Sequence, residues 1–257
     1  MMIKVFDDDK ILAKTLALEI LLELKKKKRL VLGCPGGRSL KKTYYYLGIL
    51  SYELNISLNN LIIVMMDEYV NKKNSKYFLV NSNNHFSCVK FCNNVIKKLL
   101  NFKKNNSNCL KTKNIFFPSV KNPKNYDLLI KQIGGIDIFL LASGSSDGHV
   151  AFNNINSKLS QKTHITKLSN KTRTDNMKTF PKFKKLSEVP KYGLTVGLHT
   201  ISSLSKKAIL VLTGKEKQYA LKKLIKNKKF NYNWPSSIIY KCKNANIYTE
   251  KKIKYNL

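Results

Sequence analysis

Of the four histidines in this chain, His149 alone follows two residues after an aspartate, within the run Ser143-Gly144-Ser145-Ser146-Asp147-Gly148-His149. A carboxylate beside an imidazole fixes its tautomer and stabilises its protonated form, which equips the histidine to move protons. His85, His164 and His199 have no such neighbour and read as histidines with ordinary hydrogen bonds. Carboxylates are scarce, with 15 Asp and Glu against 48 Lys and Arg. Three of them, Asp67, Glu68 and Asp147, stand shortly after short apolar runs, where partial desolvation raises a carboxyl pKa toward the range useful for a carbon-bound proton. For Asp67 the plain alternative is a helix cap or a loop hydrogen bond.

A further run, Pro35-Gly36-Gly37-Arg38-Ser39, leads from an apolar segment into a helical one. Glycines let backbone N–H groups approach an anion closely, and the helix start that follows adds its dipole. Arg38 strengthens this reading, because arginine occurs only at Arg29, Arg38 and Arg173, and a guanidinium matches phosphate in a bidentate way. Pairing with a carboxylate at a subunit contact would explain Arg38 equally well.

These residues need elements to hold them. Asp7 to Asp9 precede Ile11, Leu12, Leu16, Ile20, Leu21 and Leu24, a stripe of helical period that ends in Lys25 to Lys28. Leu30 to Gly33 is apolar without alternation, as a strand buried on both faces is. The pattern recurs at Leu61–Met66, Ile136–Ala142, Leu194–Val196, Ala208–Leu212 and Asn246–Thr249. Helical stretches or long loops separate these runs, so a mostly parallel α/β sheet covered on both faces is expected. Residues 71–123 are rich in Asn and Lys, with a helical patch near Val89 to Leu100. Ligands of open parallel sheets sit beyond the carboxyl ends of the strands. At those ends stand Gly36 to Ser39, Asp67 to Tyr69, Ser143 to His149, and Gly214 to Lys217.

With 257 residues and 43% hydrophobic composition the chain can bury a sizeable core, and one domain over 1–257 is expected. The formal charge of +33 would by itself suggest a polyanion partner. The lysines are scattered rather than gathered in a stripe, and Asn is abundant too, which reads as compositional bias; no specific nucleic-acid or membrane partner is expected. Five irregularly spaced cysteines read as free thiols of a reducing compartment. Cys88 and Cys92 would share a helix face, but no second Cys or His pair completes a metal site, and no metal is expected. The N-terminus lacks the basic and apolar regions of a secretory signal, and no run of about 18 apolar residues occurs, so a soluble cytoplasmic protein is expected.

Taken in order, Leu32-Gly33-Cys34-Pro35-Gly36-Gly37, Met66-Asp67-Glu68-Tyr69-Val70, Asp147-Gly148-His149-Val150-Ala151-Phe152-Asn153, Thr172-Arg173, residues 189–197, Gly214 with Lys217, and Asn233-Trp234-Pro235-Ser236-Ser237 resemble the glucosamine-6-phosphate deaminase/isomerase family. That family shares a superfamily with the 6-phosphogluconolactonases. The resemblance spans almost the whole chain. The run Met-Asp-Glu-Tyr, the 189–197 segment and the late Asn-Trp element resemble the deaminases rather than the lactonases.

It implies a Rossmann-like three-layer sandwich, commonly a homo-oligomer. It also implies ring opening, aldose–ketose isomerisation and deamination of an amino-sugar 6-phosphate in amino-sugar catabolism, without metal or organic cofactor. In this reading His149 handles the ring-oxygen proton, Asp147 orients it, and Asp67 moves a proton between C2 and C1. Gly36, Gly37, Arg38, Ser39, Lys178 and Lys217 would hold the phosphate, Lys178 standing where the family usually has Arg. Asn154 replaces a Glu that in the well-studied members completes a carboxylate–His–carboxylate set; an Asn can hold the imidazole by hydrogen bonding but cannot offset its charge. A 6-phosphogluconolactonase, or a non-catalytic sugar-phosphate-binding relative, are the alternatives.

Overall fold

In the computed structural model, which describes residues 1–253, strand β1 (Met2–Phe6) leads into helix α1 (Asp9–Lys27). The Asp8 carboxylate accepts the Ile11 N–H at 2.7 Å and caps α1, Asp9 occupies its first turn, and lysines fill its last. Leu12, Leu16, Ile20, Leu21 and Leu24 are buried, so the helical stripe faces the core. Strand β2 (Leu30–Cys34) is buried at every residue and feeds α2 (Lys41–Glu53). Strand β3 (Leu61–Met65) follows, then β4 (Asp67–Lys73) and β5 (Lys76–Leu79).

A helical segment over 88–100 comprises α3 (Cys88–Phe91), a π-helical turn (Cys92–Lys97) and α4 (Lys98–Leu100). Beyond it come β6 (Ile115–Phe116), α5 (Lys124–Gln132), β7 (Ile138–Ala142), β8 (His164–Lys167), α6 (Asn170–Thr179) and β9 (Tyr192–Thr195). The chain continues through α7 (Leu198–Ser203), β10 (Ala208–Leu212), α8 (Gln218–Asn227) and β11 (Asn246–Glu250).

Seven strands pair in the order β1-β11-β10-β7-β2-β3-β6, all parallel. One face packs on α1, α2 and the 88–100 segment through Leu16, Ile20, Tyr44, Leu47, Ile96 and Leu100. The other face packs on α5, α7, α8 and the 3-10 turn Pro235–Lys241 through Ile130, Ile201, Leu221 and Ile238. This is the expected three-layer α/β sandwich. Among the described residues no helix is long and apolar enough to cross a membrane.

A second sheet was not foreseen. After β3 the chain leaves the central sheet at Met66, and β4 pairs antiparallel with β5 on one side and β9 on the other, with β8 beyond β9. The segment expected at Leu194–Val196 is therefore not a strand of the parallel sheet; it forms β9, opposite Asp67 to Val70. A short apolar run looks alike in either sheet, and its partner is absent from the local sequence. Strands β1 and β6 were not expected either; β1 is an edge strand with half-exposed side chains and β6 has two residues.

Glu68 joins the second sheet to the helical layer. Its buried carboxylate accepts the Ser87 hydroxyl at 2.7 Å and the backbone N–H groups of Cys88 and Val89 at 3.0 and 2.9 Å, together with its own neighbour Tyr69 N–H at 2.7 Å. It thus satisfies the first N–H groups of the 88–100 segment and places an anion at their positive end. Truncation in E68A leaves these buried donors unpaired, so the unfolding free energy in urea should fall by about 3 kcal/mol. An unchanged midpoint would show that water replaces the carboxylate without loss.

Candidate active site

Beyond the carboxyl ends of β2, β3, β7 and β10 lies one cavity of about 770 Å³ including its open mouth. Gly36 to Ser39, Met66, Asp67, Ala142 to Ser145, His149 and Lys217 line it from the sheet side, and Asp175, Asn176 and Thr179 of α6 line it from above.

The centre of the site is a short contact. His149 Nδ1 lies 2.6 Å from Asp147 Oδ1, and because an ionised carboxylate only accepts, Nδ1 must carry the proton and Nε2 is left for a ligand. Burial by itself would raise the Asp147 pKa, but the hydrogen bond and charge of His149, with a Thr172 hydroxyl bond, hold it well below the usual carboxylate range. Its Oδ2 lies 2.8 Å from Thr172 Oγ1 and 3.2 Å from Ser169 Oγ. Gly144 makes the pair possible, since a Cβ there would overlap both His149 Nδ1 and Asp147 Oδ1. Gly148 adopts φ +65°, and a Cβ on it would run into the Trp234 indole, so the late Asn-Trp element backs the loop that carries His149. Ser236 completes it, donating its N–H to Gly148 O at 2.7 Å while its hydroxyl meets Ser143 Oγ at 2.8 Å.

Asp67 is 7% exposed and faces the same cavity. Burial, reinforced by the charge of Glu68 and opposed by the Cys88 thiol and by His149, pushes its pKa up to about 7. Lys217 is 8% exposed and donates from Nζ to Ser143 O at 2.5 Å. Its burial lowers its pKa, and the charges of Asp175 and Glu216 act in the opposite direction. Gly37 has φ +86°, a conformation suited to glycine, and turns the chain so that Gly36 to Ser39 border the cavity.

Not every residue singled out from the sequence arrives. Lys178 is exposed on α6 and is not among the cavity-lining residues, since the face turned to the cavity is that of Asp175, Asn176 and Thr179. Asn154 does not reach the imidazole: its Oδ1 meets Thr172 Oγ1 at 3.0 Å and its Nδ2 donates to Lys167 O at 2.8 Å. The anchor on β8 keeps this short amide one hydroxyl away from the ring. Arg38 borders the cavity but forms an ion pair with Glu216 at 3.1 Å. Asp175, Asn176, Thr179, Tyr69, Cys88 and Phe152 line the site without having been singled out. For the α6 residues a signal existed in the helical spacing that follows Thr172.

Asp147, His149 and Asp175 present one donor atom each within 4.8 Å of one another. Asp147 and the Nδ1 of His149 are bonded to each other, and Asp147 also to the Thr172 and Ser169 hydroxyls.

Asp67 also ties stability to pH. A carboxyl with a folded-state pKa near 7 and an unfolded value near 4 binds more protons when folded, so stability falls as pH rises through that window. D67N lacks this penalty. Between pH 4 and pH 8 its unfolding free energy should gain on the wild type by about 1–3 kcal/mol, read from urea curves; a difference that does not vary with pH would mean that Asp67 titrates as an exposed carboxyl.

The chain is 33% identical over 230 residues to a glucosamine-6-phosphate deaminase of Borreliella burgdorferi, covering 88% of this chain and 79% of that protein. Its fold matches a monomeric glucosamine-6-phosphate deaminase at a TM-score of 0.83 and 25% identity, over 98% of each chain. It matches a 6-phosphogluconolactonase of Thermotoga maritima at a TM-score of 0.67 and 16% identity, over 97% of this chain and 98% of that one, a likeness of fold alone. With residues 8–249 matching the model of the glucosamine-6-phosphate isomerases/6-phosphogluconolactonase family, the chain that builds this acid–imidazole cavity belongs to that family.

Proposed function

We propose that this protein converts an amino-sugar 6-phosphate, glucosamine 6-phosphate in the first place, to the ketose 6-phosphate and ammonia. The observation that carries the reading is the sharing of one cavity by Asp67, His149, Lys217 and the Gly36–Ser39 turn. Relatives named for this activity reach 33% identity, whereas the lactonase noted above shares only the fold at 16%.

The geometry supports an order of events. Lys217, Arg38 and the N–H groups of the 36–39 turn receive the phosphate. Protonated His149, held by Asp147, gives a proton to the ring oxygen and takes back that of the anomeric hydroxyl, and the sugar opens to the aldehyde. Asp67 then takes the proton from C2 and returns it to C1 while one amine proton passes to the aldehyde oxygen, so C1 becomes a hydroxymethyl carbon and C2 an imine. Water adds at C2 and ammonia leaves, which balances the atoms without any external oxidant or metal. A base with a pKa near 7 suits this step, because about half of it is ionised at neutral pH and it is still basic enough to take a carbon-bound proton.

The proposal includes action as one domain over 1–257, of which residues 254–257 lie outside those described, and a cytoplasmic location. It also includes a homo-oligomer, to which the monomeric deaminase of similar fold sets the alternative; sedimentation velocity separates the two.

Ammonia release and ketose phosphate formation should appear together with glucosamine 6-phosphate, and not with 6-phosphogluconolactone as the better substrate. H149A and D67N should each lower kcat by about 10²–10⁴-fold, and wild-type kcat/KM should fall as pH drops below about 7 as Asp67 takes up a proton. Faster lactone hydrolysis would move the assignment to the lactonase branch. Tight sugar-phosphate binding by calorimetry without turnover would identify a non-catalytic relative.

A further inference from the structure

Asp175 is an acid that the mechanism above leaves without work. It stands on α6, half-buried, and lines the cavity. Its Oδ2 accepts the Ser145 N–H at 3.2 Å, which ties it to the loop that carries His149. Among the described residues its Oδ1 accepts no hydrogen bond and it forms no salt bridge within 4.0 Å, although lysines outnumber acids throughout the chain. Thr172, one helical turn earlier, touches Asp147 Oδ2 at 2.8 Å, so this face of α6 lies over the Asp147–His149 pair. A carboxylate oxygen of Asp175 is within 4.8 Å of a ring nitrogen of His149 and of an Asp147 oxygen.

We propose that Asp175 is a positioning residue for His149: a second carboxylate, delivered from α6, that offsets the imidazolium charge. Two observations favour this. Asp147 both orients the ring and supplies the first negative charge, and its oxygens are already taken by the ring, the His149 N–H, Thr172 and Ser169, so any further compensation has to come from another group. Asn154, the other polar side chain of the network, is neutral and stops at Thr172. The groups that set the charge around His149 are then Asp147 on its own loop, Asp67 from β4, Asp175 from α6, and Lys217 after β10, with Arg38 and Glu216 behind the lysine. A carboxylate at this distance in a half-buried site favours the protonated ring. The competing assignment is that Asp175 only balances Lys217, whose charge it also feels.

This inference rests on His149 acting as the acid of the proposed reaction, so the test reads the ring directly. The imidazole resonances of ¹³C,¹⁵N-histidine-labelled protein, His149 assigned by its loss in H149Q, are titrated without substrate. In D175N, which keeps an acceptor for the Ser145 N–H, the midpoint of His149 should move down by about half a pH unit or more, while D175E should leave it in place. In turnover D175N should lower kcat by about tenfold with KM little changed, and the alkaline limb of its pH profile should shift down with the midpoint. An unmoved midpoint with a changed KM would overturn the proposal and give Asp175 to Lys217. D175S, read in the same way, decides the matter if D175N does not fold. A shifted D175N midpoint in a protein whose wild type turns over no amino-sugar phosphate would instead sink the proposed function and leave only the Asp175–His149 coupling established.

Discussion

The 2.6 Å contact between His149 Nδ1 and Asp147 Oδ1 is the interaction around which the rest of the site is arranged. It sits in a low-dielectric setting, where a charged hydrogen bond is strong and an unpaired one costly. Everything near it serves its geometry. Gly144 leaves room for it, Gly148 turns the backbone with its face against Trp234, Ser236 ties the loop down, and Thr172 with Ser169 takes up the second oxygen of Asp147. These contacts come from residues almost a hundred positions apart, so the loop's shape is a property of the closed fold.

Asp67 depends on a different constraint, the departure of the chain from the central sheet at Met66. Val196 N–H donates to Met66 O at 2.8 Å, and Asp67 pairs with Thr195 as β4 starts the second sheet. Tyr69 of that sheet packs with Phe152, Phe180 and Phe183 in one apolar cluster, and Asp67 is left only 7% exposed. Adjacent acids Asp67 and Glu68 thereby acquire opposite tasks. Glu68 spends its oxygens on the start of the 88–100 helical segment, while Asp67, poorly solvated and facing the cavity, is kept near the point where it can exchange a proton.

The three arginines of this +33 chain divide between the fold and the cavity. Two are structural: Arg173 is buried on the carbonyls of Leu186 and Val189, and Arg29 reaches Ile133 O at 2.8 Å. Lys217 is a buried cation of the cavity; its burial lowers its pKa, and Asp175 and Glu216 act against that.

The sequence by itself determined the alternation of buried strands and helices, because hydrophobic period and capping are local: the Asp8 cap, the α1 stripe, and the unalternated runs of β2 and β10 are all written in adjacent residues. It also placed Asp67, His149, Lys217 and the glycine turn at strand ends, since in a parallel sheet all those ends meet along one edge. Only the tertiary structure decided that β9 joins a separate antiparallel sheet, that Lys178 turns away from the cavity, and that Asn154 stops at Thr172. It alone set Asp175 beside an imidazole 26 residues earlier in the chain. The reason is physical: which face of α6 looks inward, and which strand finds which edge, depends on packing between segments distant in sequence, and no local spacing encodes it.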